Sequence, residues 1–168
     1  MRRCRSEVLM ISQVFDQLHI GQKTRSPGRT ITETDVVHFC MLTGNWLGLH
    51  CDVEYAKTTR YGQRVVQGSL VFSISSAQIA FDPEVIEAFY GVDRLRFHKP
   101  VFIGDTIKAH AEIIELTERG SENGIVTLLL QAVNQRNEVA MSCRFALVVR
   151  RARLVSDTSK SGHIEVKE

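Results

Sequence analysis

The sequence predicts an α+β fold, a single domain in which a curled antiparallel sheet wraps around one buried helix. The helical segment at residues 68–81 is apolar nearly all round, so it must be covered on most sides. Three later segments alternate apolar and polar residues and are separated by polar turns, which is typical of antiparallel strands joined by hairpins. The chain has 168 residues, of which 43% are hydrophobic and 24% charged, enough for one core. A sheet curled around the helix satisfies all three observations.

The domain is expected to span residues 13–151, with an N-terminal arm at 1–12 and a flexible tail at 152–168. Within it, Ser26-Pro27-Gly28 marks a break in a polar, turn-rich stretch. The first helix should begin after Thr32, an N-cap residue followed three positions later by Asp35 in the manner of a capping box. Gly44 is the expected C-terminal end of this helix.

The next segments lead to the buried helix. Residues 43–50 are predicted to form a loop, and residues 52–61 a short helix ended by Gly62. The buried helix itself should begin at Gly68 and run to about Phe81. Its few polar residues are serines and glutamine, which are small or uncharged.

The strands are predicted from alternation. Residues 107–113 alternate, and the phase slips at Ile113-Ile114, which indicates a bulge. Asn123-Gly124 is a turn signal before the alternating residues 126–132. A polar turn at 134–137 precedes a long odd-numbered apolar face at 139–149, and residues 88–97 supply another strand.

Composition excludes several classes of function. The net charge of +2 is small, and the basic residues form no stripe of the kind that nucleic acid requires. No apolar run approaches the roughly 20 residues of a membrane span, and the first residues do not read as a signal peptide. The four cysteines lack C-x-x-C pairing and read as reduced thiols of a cytoplasmic protein. His38, Cys40, His50 and Cys51 lack the spacing of a zinc site, so no metal or redox cofactor is expected.

Three motifs carry a resemblance to a known family. They are Arg29-Thr30-Ile31-Thr32-Glu33-Thr34-Asp35, the stretch TGNWLGLHCDVEYA from Thr43 to Ala56, and Pro100-Val101-Phe102-Ile103-Gly104-Asp105-Thr106. Together with Val66-Gln67-Gly68, they resemble the MaoC-like dehydratases and (R)-specific enoyl-CoA hydratases of the hot-dog superfamily. The resemblance implies a hot-dog fold and activity on an acyl thioester.

The resemblance also implies roles for particular residues. The family's catalytic histidine falls on His50, but its aspartate falls on Asn45, in a loop that usually reads S/T-G-D-x-N-P-x-H-x-D. The amide that holds the thioester oxygen falls on Gly68. The other positions that the resemblance places at the substrate site are Gln67, Ser76 and Trp46, and burial of the tryptophan would favour a bulky substrate.

Three functions remain open from the sequence. The first is a hydratase or dehydratase in which His50 transfers protons and Asn45 positions water, because imidazole titrates near neutral pH and a helix-start amide suits an oxyanion. The second is another acyl-thioester reaction, such as thioester hydrolysis, double-bond migration or cyclisation by conjugate addition. The third is a non-catalytic subunit that binds acyl chains or completes a partner's site. An amide can hydrogen-bond but cannot accept a proton as a carboxylate does, which keeps the second and third open.

The remaining expectations concern neighbours of the site and partners. Lys57, Arg60 and Arg64 either contact the phosphates of coenzyme A or of an acyl carrier protein, or form a solvated helix face. Asp52 and Glu54 either replace the missing carboxylate or stabilise a helix start. Cys51 is expected to be a packed thiol and not a nucleophile. We expect a homodimer, because edge strands of such sheets commonly pair across a two-fold axis.

Overall fold

A computed structural model describes residues 11–152 and shows the predicted α+β architecture. Its helices are α1 (Glu33–Thr43), α2 (Gly48–Cys51), α3 (Val53–Thr58) and α4 (Gly68–Ala77), with a 3-10 turn at Phe15–Gln17. Its strands are β1 (Lys23–Arg25), β2 (Arg29–Thr30), β3 (Ile86–Phe97), β4 (Thr106–Arg119), β5 (Asn123–Asn134) and β6 (Val139–Arg150).

The six strands form one antiparallel sheet in the order β1-β4-β5-β6-β3, and β2 also pairs with β4. The inward-facing residues of the long strands and the buried residues of α4 share one hydrophobic core. Leu70, Val71 and Ile74 of α4 are buried in it. The helix is therefore covered by the sheet, as its apolar sequence predicted.

Local signals explain α1. The Thr32 side chain accepts a hydrogen bond from the Asp35 backbone N–H, and the Asp35 carboxylate accepts one from the Thr32 N–H. The capping box is thus complete, and Gly44 ends the helix in the left-handed conformation.

Several predicted boundaries are wrong. Residues 52–61 are helical only over Val53–Thr58, and residues 48–51 of the predicted loop form the short helix α2. The buried helix ends at Ala77 and does not reach Phe81. After Thr58, the backbone hydrogen bonds from the Thr59 N–H to the Ala56 carbonyl and from the Gly62 N–H to the Thr59 carbonyl close single turns, and they take the place of a continued helix.

The sheet also differs in detail. The turn predicted at Asn123-Gly124 is strand, because the chain reverses just before it, at residues 120–122, where Gly120 has a φ of +76°. The short strands β1 and β2 lie in the stretch predicted as polar turns, on either side of the Ser26-Pro27-Gly28 break. The slip at Ile113 is confirmed as a register shift between Ile113 and Glu115.

At the N-terminus, Ile11 is fully buried and forms a bridge with Phe81, although the predicted arm includes residue 11. The rest of that arm, apart from residue 12, and the predicted tail after residue 152 lie outside the described residues.

The turn after Pro100 is fixed by a buried carboxylate. Asp105 accepts hydrogen bonds from the Phe102 N–H at 3.0 Å, the Arg136 guanidinium at 3.2 Å and the Gln135 amide. Burial opposes ionisation of Asp105, but these donors outweigh it and lower its pKa. The turn positions the segment that leads from β3 towards the site.

Candidate functional site

A cleft of about 450 Å³ lies between the start of α4, helix α2 and the segment that follows β3. Its floor is largely apolar, and its other residues carry imidazole, phenol and cationic groups. The lining residues are His50, Arg60, Tyr61, Val65, Val66, Gly68, Val71, Phe97, His98, Lys99, Pro100, Val101 and Ala140. The cleft therefore combines an apolar surface with a few polar groups, as ligand sites do.

His50 is the buried titratable group of the cleft. It belongs to α2 and is 9% exposed. Its Nδ1 lies 2.6 Å from the Val65 carbonyl oxygen. A carbonyl oxygen only accepts hydrogen bonds, so Nδ1 carries a proton, and the neutral form of the ring has its lone pair on Nε2. The ring is therefore set up to take a proton through Nε2.

The Val65 carbonyl is itself held in place. The Val65 N–H donates to the Leu49 carbonyl at 3.1 Å, and Val65 forms an isolated antiparallel bridge with Phe102. The group that orients His50 is thus part of the backbone framework. The orientation of the imidazole does not depend on a neighbouring carboxylate.

Gly68 is the first residue of α4 and lines the same cleft. Its N–H is among the N–H groups at a helix start that have no intrahelical acceptor, and the helix dipole is positive at this end. A Cβ at residue 68 would lie 2.8 Å from Cζ of Phe97. Glycine therefore lets the Phe97 ring approach the start of α4 closely.

The other residues assigned to the substrate site lie elsewhere. Asn45 and Trp46 are exposed, the tryptophan at 53%, and neither lines the cleft. Gln67 is buried at 1% exposure, and its Nε2 lies 3.0 Å from the Cys40 sulfur while its Oε1 has no partner. Ser76 is half-buried and donates to the Ser73 carbonyl at 3.0 Å.

The three predicted phosphate contacts separate into two groups. Arg60 lines the cleft. Lys57 pairs with Glu54 at 2.7 Å, and Arg64 forms a two-pronged ion pair with Glu33. Lys57 and Arg64 line a different cavity. Their side chains stabilise the helical segment and do not reach the cleft.

The described residues that line the cleft include no carboxylate. Asp52 caps α3 by accepting a hydrogen bond from the Tyr55 N–H, and Glu54 is the ion-pair partner of Lys57. Of the two roles considered for Asp52 and Glu54, the structure therefore favours stabilisation of a helix over replacement of the missing carboxylate. Cys51 donates its thiol to the Trp46 carbonyl at 3.1 Å, as a packed thiol does.

Sequence reasoning missed Tyr61, Phe97, His98 and Lys99. Phe97 is the last residue of β3, and the two residues after it form the wall that precedes Pro100. The His98 ring is bound through Nε2 to the Ser142 hydroxyl at 2.8 Å. Phe97, His98 and Lys99 directly precede the PVFIGDT motif, and that position is the sequence feature that could have indicated their place near the site.

Among residues 11–152, no group of three or more His, Cys, Asp and Glu side chains is arranged to hold a metal ion. In the same range, no helix combines the length and the apolar character needed to cross a membrane.

Comparison with known proteins identifies the family. Residues 15–135 match the model of the MaoC like domain. The chain belongs to the MaoC-like dehydratase family. Its curled sheet around α4 is the hot-dog fold of that family.

Two curated proteins are similar in sequence to this MaoC-like chain. It is 30% identical over 125 residues to the (R)-specific enoyl-CoA hydratase of Aeromonas caviae, covering 74% of this chain and 90% of the relative. It is 38% identical over 96 residues to the protein MaoC of Klebsiella aerogenes, covering 56% of this chain and only 28% of that longer protein.

A solved structure from Archaeoglobus fulgidus, described as a monoamine oxidase regulatory protein, superposes with a TM-score of 0.82 at 36% identity. The superposition covers 87% of this chain and all of the other. Relatives of this MaoC-like chain therefore include hydratases of enoyl thioesters, and the fold is shared along nearly the whole domain.

Proposed function

We propose that this protein is a hydratase or dehydratase that interconverts an enoyl thioester and a 3-hydroxyacyl thioester. The observation that carries the proposal is that His50, with Nε2 unprotonated, and the start of α4 at Gly68 line one cleft. The name of the Aeromonas caviae relative supports the reaction class.

The reaction needs a base and an oxyanion site. In the hydration direction, His50 Nε2 takes a proton from water as its oxygen attacks C3 of the enoyl group. Negative charge moves to the thioester oxygen, where the N–H of Gly68 and the helix dipole stabilise it. The apolar residues Val66, Val71 and Val101 contact the acyl chain. Protonation at C2 completes the product.

The carrier of the acyl group is coenzyme A or an acyl carrier protein, both of which present a phosphate on a pantetheine arm. Lys99 lines the cleft and is exposed, and its nearest carboxylate is Glu138 at 3.9 Å. We assign the phosphate contact to Lys99 because it lines the cleft, whereas Lys57 and Arg64 line a different cavity and pair with Glu54 and Glu33.

The test is an assay of enoyl thioesters that follows conjugated absorbance and free thiol together. Loss of conjugation without release of thiol is the expected result, and His50→Gln reduces kcat by about 10²–10⁴-fold, the usual range for removing a general base. Release of thiol would identify a thioesterase. Tight binding without turnover would identify a non-catalytic acyl-binding subunit.

We also propose a homodimer formed along the free edge of β3. Among residues 11–152, this strand pairs only with β6, and it exposes Phe89 and Tyr90 at 56% each. A strand edge of this length that carries exposed aromatic residues is a template for pairing with a second chain. Tyr90→Glu should shift the protein towards monomer in light scattering, whereas Ile20→Glu, at a residue that is 65% exposed and outside β3, should not. Monomeric wild-type protein would refute the proposal.

A further inference from the structure

The cleft contains a second candidate for proton transfer, and it is Tyr61. The family position that usually carries an acid is Asn45, which is exposed and outside the cleft. Hydration has two proton steps, one at water and one at C2, and His50 accounts for the first. The second proton reaches C2 either from the imidazolium formed in the first step or from a separate acid in the cleft.

The lining residues leave few choices. Among the side chains described in the cleft, those with N–H or O–H groups belong to His50, Arg60, Tyr61, His98 and Lys99. Arginine does not give up its proton in proteins. The Nε2 of His98 is engaged with the Ser142 hydroxyl. Lysine at this exposed site is the cation assigned to the phosphate.

The contacts of Tyr61 fit a proton donor. A guanidinium N–H of Arg60 donates to the Tyr61 hydroxyl oxygen at 2.7 Å, so the phenol accepts there and keeps its own proton for another acceptor. The same guanidinium carbon lies 4.8 Å from the centre of the Tyr61 ring. No carboxylate pairs with Arg60 among the ion pairs of the described residues. Its charge is therefore available to stabilise a phenolate.

We propose that Tyr61, supported by Arg60, is the acid that protonates C2, a role that rests on the hydratase function proposed above. Water forms its bond to C3 and gives one proton to His50 Nε2. The Tyr61 hydroxyl gives its proton to C2, and the phenolate is held by Arg60. His50 then returns its proton to Tyr61 through solvent, so that one water has been added and both side chains are restored.

The experiment uses enoyl and 3-hydroxyacyl thioesters of N-acetylcysteamine, which carry no phosphate, so that contacts to the carrier cannot affect the result. Tyr61→Phe keeps the ring and removes only the hydroxyl. We expect kcat to fall by about 10²-fold, within the range for general acid catalysis, with KM changed by less than about threefold. Arg60→Met should lower kcat about tenfold, and Arg60→Lys less, because the charge is kept.

Tyr55→Phe is the matched control. Tyr55 lies on α3, is 52% exposed and does not line the cleft, so removal of its hydroxyl should leave kcat unchanged. Circular dichroism and thermal unfolding of the four variants show whether they remain folded.

A second readout follows exchange of the C2 hydrogen of the 3-hydroxyacyl thioester in D₂O by NMR, which does not require loss of water. Exchange by the wild type and its loss in Tyr61→Phe support the assignment, even in a protein that fails to hydrate. A wild type that hydrates, together with a Tyr61→Phe variant of unchanged kcat and exchange, overturns Tyr61 and leaves the proposed function standing. A wild type that neither hydrates nor exchanges overturns both.

Discussion

Two glycine-to-alanine substitutions separate the packing of the fold from the chemistry of the cleft. Both add one methyl group next to a phenyl ring. At Gly124 in β5, the new Cβ would lie 2.6 Å or less from three carbons of Phe15. At Gly68, it would lie 2.8 to 3.0 Å from three carbons of Phe97. The Phe97 ring can move aside more easily than the Phe15 ring, because Phe97 is 51% exposed and Phe15 is 6% exposed.

The expected magnitudes follow from that difference. Carbon atoms pack at about 3.5–4.0 Å, so the Phe15 ring must shift by about 1 Å inside a filled core. Overpacking of this kind costs about 1–3 kcal/mol. Replacing a glycine within regular structure gains about 0.5–1 kcal/mol. Gly124→Ala should therefore destabilise the protein by roughly 1–2 kcal/mol, whereas at Gly68 the exposed ring rotates away and the net change is about zero.

Thermal unfolding measures the first effect. At about 2–4 °C per kcal/mol for a chain of this size, Gly124→Ala lowers Tm by about 2–8 °C and Gly68→Ala changes it by less than about 2 °C. Activity should follow the opposite order. Gly124→Ala retains kcat, because residue 124 lies outside the cleft. Gly68→Ala loses at least about tenfold in kcat/KM, because its methyl group displaces the Phe97 ring, which lines the same cleft, towards the proposed substrate position.

Equal Tm changes in the two variants would refute the argument from ring freedom. Full activity in a folded Gly68→Ala variant would refute the argument that the close approach of Phe97 to the start of α4 shapes the substrate position.

Three further predictions concern single side chains. Asp105→Asn should destabilise the protein by about 1–3 kcal/mol at pH 7 in urea unfolding. Because folding lowers the pKa of Asp105, the carboxylate's contribution is present above the unfolded-state pKa, and the difference from wild type should vanish as pH falls through the folded-state value. Burial raises the pKa of the Cys143 thiol to about 11, so at pH 8 iodoacetamide should modify half-buried Cys51 before Cys143, as peptide mass spectrometry can show; modification of Cys143 before Cys51 would contradict this. Asn45→Asp should change kcat by less than about threefold, since residue 45 lies outside the cleft, and a sharp gain in hydration would contradict that placement.

Much of the fold could be predicted because its signals are local. The capping box at Thr32 and the alternation in β4 and β6 depend on residues close in the chain, and both are present in the structure. The failures have a physical reason as well. Strand β1 has three residues and exists because Lys23 and Arg25 pair with β4, about ninety positions away, which no local pattern records.

The site was less predictable for the same reason. The resemblance named His50 and Gly68, and the structure brings both to one cleft. It could not reveal that the segment after β3 forms a wall of that cleft, because Phe97 and Lys99 approach α4 through the curl of the sheet. Lys57, Arg60 and Arg64 looked equivalent in sequence, yet Lys57 pairs with Glu54 and Arg64 with Glu33 outside the cleft, and only Arg60 of the three lines it.

The contact between His50 and Val65 explains how the site can do without the usual aspartate. In serine proteases, replacing the aspartate beside the catalytic histidine by asparagine costs about 10⁴ in kcat, because the ring is held in the wrong tautomer. An asparagine amide can donate to the ring and force that error. The Val65 carbonyl can only accept, so it fixes the tautomer with the proton on Nδ1 whatever residue stands at position 45. What a carbonyl lacks is the full negative charge that would stabilise an imidazolium. A site built this way gains most from a separate acid for C2, which is the role proposed for the Arg60–Tyr61 pair in the same cleft.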